Sequence, residues 1–198
     1  MIKKLAILSL LAMLSSCAKQ PSTQTQKAST AQAQSGTNHI ANVSIVKGVV
    51  PIAGKAASDF TWYDSDGKTV SLSDLKGKIV LVNFWATWCG PCKSELPDIE
   101  AVSKEYAAKG FVVVGVSEDR GDNLVKDVSD FARDNGLTYQ IVIDNDNIAN
   151  AYGNINAIPT SFLVNKEGQI AEKWIGVRDR AFFESTVRKY LNQGSVTK

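Results

Sequence analysis

The order of apolar runs along this 198-residue chain predicts an α/β domain built on a mixed central sheet with helices on both faces. Three observations carry the prediction. Ile79-Val-Leu-Val-Asn-Phe84 and Phe111-Val-Val-Val-Gly-Val116 are nearly continuous apolar runs, as strands covered on both sides require. The segment between them, Cys92 to Lys109, has the length of a helix, so the unit reads strand, helix, parallel strand. Near the end, Thr160-Ser-Phe-Leu-Val164 and Gln169 to Ile175 flank Asn165-Lys-Glu-Gly168, which is the chemistry of an antiparallel hairpin.

The remaining elements follow in order. Phe60-Thr-Trp-Tyr63 and Thr69-Val-Ser-Leu72 surround Asp64-Ser-Asp-Gly67 and predict a β-hairpin extension ahead of the central unit. Asp122 to Asn135 reads as a helix closed by Gly136. Tyr139 to Ile143 reads as a third sheet strand, followed by a short helix near Asn147 to Tyr152. Asp179 can cap a last helix, with Phe183, Val187, Tyr190 and Leu191 on one face. No internal repeat is visible.

The front of the chain is of another kind. Lys3 and Lys4 precede a mostly apolar run from Leu5 to Leu14, too short for a membrane span of about 20 residues but of signal-peptide proportions. Leu14-Ser-Ser-Cys17 resembles the lipobox of bacterial lipoproteins. That resemblance implies a signal peptide over 1–16 and a lipidated Cys17 with no free thiol, which accounts for the odd cysteine. One acyl chain, at roughly 0.8 kcal/mol per buried CH₂, holds a membrane only marginally; the two or three of a lipoprotein hold it firmly. Ala18 to Asn38 contains no Val, Ile, Leu or aromatic residue and predicts a flexible tether. A coil of that length has an end-to-end distance of roughly 25 Å. His39, the chain's one histidine, sits at its end and reads as solvated. The expected division is therefore 1–16 signal, 17–44 lipidated cysteine and tether, 45–198 folded domain. Removing Lys3 and Lys4 from the 22 basic residues leaves 20 against 20 acidic ones, a balance that gives no electrostatic case for nucleic acid as partner.

The chemistry lies in Trp88-Cys-Gly-Pro-Cys-Lys93. Cys89 falls where a strand gives way to a helix, and the unbonded N–H groups and dipole of a helix start favour an anion there. Its thiolate should form below the ordinary ~8.5. Gly90 lets the backbone turn, and Pro91 costs nothing in a first turn. Cys92, three residues on and deeper, can resolve a mixed disulfide that Cys89 forms. Two bland readings stand beside this one. A CxxC pair can be half of a zinc site, but no second pair exists to complete four ligands. It can also be a structural disulfide, although a loop this short constrains little chain.

Trp85-Ala-Thr-Trp-Cys-Gly-Pro-Cys-Lys93 resembles the active site of the thioredoxin superfamily. Pro97 is similar to the proline inside that family's active-site helix, and Ile158-Pro159-Thr160 resembles its cis-proline loop, which faces the thiols and pairs with a substrate strand. Gly54 to Phe60 and Ser73 to Lys78 resemble the entry of the TlpA/ResA-like (DsbE-like) branch; Ser58 departs from the proline common there. The likeness runs from about Lys47 to the C-terminus. It implies a thioredoxin fold, Trp88, Gly90, Pro91, Ile158, Pro159 and Thr160 as partner-binding residues, and no cofactor or metal beyond the redox-active Cys89–Cys92 pair. Ordinary thioredoxins bury an aspartate where this chain has Asn83, which cannot take a proton near neutral pH. Glu95, at i+3 from Cys92 in a Cys-Lys-x-Glu-Leu-Pro context like that of ResA-like proteins, is then the candidate proton acceptor. A solvated first-turn glutamate is the alternative. Trp85 reads as core, and Trp88 as shield or contact.

The resemblance implies an enzyme, a lipid-anchored extracytoplasmic thiol–disulfide oxidoreductase facing the periplasm or the cell surface. Such proteins are recharged by a membrane electron-donor protein and reduce disulfide-containing protein substrates, as in cytochrome c maturation. Three other readings stand beside it. A thiol peroxidase fits poorly, because Ala86 and Val82 stand where its Thr and Pro belong. A copper-binding chaperone of this fold wants a histidine near the sheet. A non-catalytic scaffold would need neither thiol.

Overall fold

The computed structural model describes residues 41–193. The signal over 1–16, Cys17, His39 and the expected tether up to residue 40 lie outside the described residues. Nine strands and four helices are present among the described residues: β1 (Val43–Ile45), β2 (Gly48–Val50), β3 (Asp59–Tyr63), β4 (Thr69–Ser71), β5 (Ile79–Trp85), α1 (Gly90–Tyr106), β6 (Phe111–Ser117), α2 (Leu124–Asp134), β7 (Gln140–Ile143), α3 (Asn147–Ala151), β8 (Thr160–Val164), β9 (Ile170–Ile175) and α4 (Arg180–Asn192).

Six strands form the central sheet in the order β1-β7-β6-β5-β8-β9. β1, β7, β6 and β5 run parallel; β8 is antiparallel to β5, and β9 is antiparallel to β8 and so runs in the direction of the first four. All seven residues of β5 are buried, which is why its sequence shows no alternation. Its side chains still divide by face. Ile79, Leu81 and Trp85 pack with α1, α2 and α4, in one core with Leu96, Val128 and Phe183. Val80, Val82 and Phe84 face the other way, into a core with Phe60, Trp62, Ile148 and Tyr152. That second face is covered by α3 and by a three-stranded antiparallel sheet, β2-β3-β4. The predicted hairpin is therefore two-thirds of a small sheet that caps the core.

Two departures from the sequence reading share a cause. β1 and β2 are three residues each, too short to show a period. β1 nevertheless pairs with β7 through Val43 to Ile45, and the Ala41 N–H donates to the Leu137 carbonyl at 3.1 Å. The boundary expected at 44/45 thus moves forward, because residues 41–44 belong to the fold. Gly136 follows α2 at φ 65°, the left-handed position expected of it. Asp179 caps α4 by accepting the Phe182 N–H at 2.9 Å. No helix among the described residues is long and apolar enough to cross a membrane.

Candidate active site

The C-terminal end of β5 delivers the chain to the site. Ala86 to Trp88 form a loop held from β6: the buried Asp119 accepts from the Thr87 hydroxyl at 2.6 Å, from the Thr87 N–H and from the Ser117 hydroxyl at 2.7 Å. The Cys89 N–H donates to the Ala86 carbonyl at 3.1 Å. Cys89 is the N-cap of α1, and its sulfur accepts the Cys92 N–H at 3.1 Å. The first turn of the helix thus points a backbone donor at the sulfur that would carry the charge. The two cysteines are joined as a disulfide with Cα atoms 5.3 Å apart. Cys89 is 5% exposed and Cys92 0%, so a partner reaches Cys89 first.

Around Cys89 the surface is apolar and open. Trp88 is 66% exposed, whereas Trp85 is fully buried against Phe131. Gly90 and Pro91 are exposed. A Cβ at Gly90 would meet no atom within 4 Å, and its φ is not left-handed. The turn therefore does not require glycine there, contrary to the sequence reading; the missing side chain only leaves the surface bare. Facing the disulfide, Ile158 and Pro159 join through a cis peptide bond. The Ile158 carbonyl oxygen lies 3.9 Å from the Cys89 sulfur. Thr160 is buried and its hydroxyl donates to the Ala157 carbonyl at 2.6 Å, so its side chain shapes the loop. The Pro159 carbonyl is already taken by the Gly176 N–H at 2.8 Å.

Three residues past Cys92 on the same helix sits Glu95, 1% exposed and not a solvated first-turn residue. One carboxylate oxygen accepts from Asn83 Nδ2 at 3.0 Å, the other from the Arg178 N–H at 3.1 Å. Burial outweighs these bonds and pushes its pKa up to about 7. A carboxyl so placed can take and return a proton at neutral pH.

Several residues that sequence reasoning missed belong here. Asp119 and the Arg178 amide act from distant parts of the chain and carry no local signal. Glu118, at the end of β6, is raised to about 7 by burial and by Asp144, with Arg120 opposing. Glu118, Arg120, Trp88 and Ile158 line an open groove of about 240 Å³ beside the disulfide.

Residues 53–173 match the AhpC/TSA family. The thiol–disulfide oxidoreductase ResA of Bacillus thuringiensis (strain Al Hakam) is 37% identical over 137 residues, covering 69% of this chain and 77% of its own length. Among solved structures, a thiol:disulfide interchange protein of the thioredoxin family from Chlorobium tepidum TLS superposes with a TM-score of 0.63 at 33% identity, covering 71% of this chain and 98% of that one. The pneumococcal exposed lipoprotein thioredoxin Etrx1 from Streptococcus pneumoniae strain TIGR4 superposes at 0.55 with 31% identity, over 66% and 98%.

Proposed function

The chain belongs to the AhpC/TSA family and is a thiol–disulfide oxidoreductase of thioredoxin fold, and from that premise we propose that it is a lipid-anchored, extracytoplasmic reductase of disulfides in partner proteins. The observation that carries the reading is the Cys89–Cys92 pair at the start of α1 with a buried carboxyl three residues on along the same helix. In the reduced enzyme the Cys89 thiolate attacks one sulfur of a partner disulfide. The other partner sulfur leaves and takes a proton. Cys92 then gives its proton to Glu95 and attacks Cys89, and the partner's second sulfur leaves and takes the proton that Glu95 returns, the first having come from water. The partner gains two electrons and two protons, and the enzyme ends as the Cys89–Cys92 disulfide. A membrane electron-donor protein reduces it again. Trp88, Gly90, Pro91 and the Ile158–Pro159 loop form the surface on which the partner sits. The reducing direction and a part in cytochrome c maturation are what the resemblance to the TlpA/ResA-like branch implies; the anchor at Cys17 is what the resemblance to a lipobox implies, and the lipoprotein nature of the pneumococcal neighbour supports it.

The experiment is a trap. Cys92→Ser, expressed in cells, should accumulate mixed disulfides that dissolve in dithiothreitol and are absent from Cys89→Ser; mass spectrometry of the captured proteins names the substrates. No adducts, together with no acceleration of insulin disulfide reduction by the wild type, would overturn the reading. Turnover of peroxide without disulfide reduction would replace it by a thiol peroxidase. Cys17→Ala should move the protein from the membrane fraction to the soluble one, and retention in the membrane would remove the lipid anchor from the proposal.

A further inference from the structure

Asn83 and Ser161 face each other across the β5–β8 ladder, on the side of the sheet turned to α1. Both are buried with Glu95. Asn83 Nδ2 donates twice, to Glu95 at 3.0 Å and to the Ser161 hydroxyl oxygen at 2.9 Å. Its Oδ1, equally buried, has no hydrogen-bond partner among the described residues. An amide with one end doubly used and the other unused, in a place sealed from water, suits only one state of the carboxyl. It serves the ionised Glu95, whose oxygens both accept. Once Glu95 holds a proton, the oxygen facing Asn83 becomes a donor, because its other oxygen still faces the Arg178 N–H. Two donors would then confront each other in a dry site, where a donor left without an acceptor is costly.

A half-turn of the Asn83 amide relieves this conflict, at the cost of carrying the Nδ2 hydrogens to the side where Oδ1 has no partner among the described residues. Oδ1 then accepts from the Glu95 hydroxyl and from Ser161, whose hydroxyl donates as readily as it accepts. We propose that Asn83 and Ser161 are positioning residues forming a reversible cradle, which presents Nδ2 to ionised Glu95 and Oδ1 to protonated Glu95 as the Cys92 proton arrives and departs. The proposal rests on Glu95 being the acceptor for Cys92. The proton balance is simple: the Cys92 thiol becomes a thiolate, the Glu95 carboxylate becomes an acid, and the amide moves no proton of its own. Asn83 thereby does what an aspartate at this position could not, since an ionised aspartate offers acceptors only. The other ionisable groups near Glu95 are Asp98 on α1, which raises its proton affinity, and Arg178, which lowers it. Tyr139, ahead of β7, lies close as well; burial, with Glu100 and Glu95 beside it, keeps its phenol protonated.

Selectively labelled wild-type protein tests this by NMR. Across the titration of the Glu95 carboxyl carbon, the Asn83 side-chain NH₂ should show contacts to Ser161 and Glu95 protons above the midpoint and lose them below it. Contacts unchanged on both sides of a clear Glu95 titration would overturn the cradle. Kinetics give the second arm. Asn83→Leu should resolve a preformed mixed disulfide roughly tenfold more slowly at pH 7, the equivalent of one pKa unit in the base. Asn83→Asp, which retains size and polarity, should move the pH profile of resolution upward. If Glu95→Gln alters that profile and both Asn83 variants leave it in place, the cradle fails and Glu95 stands. If Glu95→Gln also leaves it in place, the reading of Glu95 fails first.

Discussion

At the scale of single residues, the site depends on groups kept in states that water would not allow. Glu95 is the plainest case. Its folded pKa of about 7 lies above its ordinary 4.5, so between those values the folded protein binds a proton that the unfolded chain has lost. Stability contributed by this group is therefore undiminished below pH 4.5, declines as pH rises, and is fully forfeited above 7. The shift corresponds to roughly 3 kcal/mol. Glu95→Gln removes the dependence, so denaturant titrations of variant and wild type at pH 4.5 and pH 8 should show the variant gaining ground at the higher pH by an amount of that order. A constant difference would mean that the carboxyl titrates normally. The i+3 spacing from Cys92 made Glu95 visible in the sequence. Its burial was not visible, because the Arg178 amide and Asn83 that enclose it come from elsewhere in the chain.

At the scale of elements, β5 and β6 were legible because both faces of each are largely buried and, Asn83 and Ser117 apart, their residues carry no polar side chain. Gly115, in the middle of β6, looks like a weakness in a strand. It has a packing cause: a Cβ there would stand 2.9 Å from Trp85 Nε1 and 3.0 Å from a ring carbon of Tyr139. Both rings are buried, and neither can retreat. Gly115→Ala should cost about 1–3 kcal/mol in urea unfolding and disturb the near-ultraviolet signal of Trp85. An alanine variant as stable as the wild type would show that the rings can shift. The short strands β1 and β2 were illegible for the opposite reason: three residues specify neither period nor register, and only their partners β7 and β3 define them.

At the scale of the whole molecule, the folded unit begins earlier than the division expected at 44/45. Ala41 is buried and β1 forms the edge of the central sheet next to β7. A chain starting at Asn38 should fold, remain soluble and reduce insulin at the wild-type rate. One starting at Lys47 forfeits β1 and uncovers β7, and should melt several degrees lower, since for a domain of this size each kcal/mol is worth about 2–4 °C. Equal melting temperatures for the two would return residues 41–46 to the tether. The fold class and the reactive pair could be read from short local patterns. The groups that tune the pair could not, because Asp119, Glu118 and Arg178 reach it only through the crossing of β6 and the turn after β9.

That turn joins two events that chemistry would otherwise keep apart. The Gly176 N–H holds the Pro159 carbonyl, and two residues on the Arg178 N–H holds Glu95. One end of this lever rests on the loop where a visiting protein docks, and the other on Glu95. The loop proposed to receive a partner and the carboxyl proposed to take the Cys92 proton are thus joined through three residues of backbone.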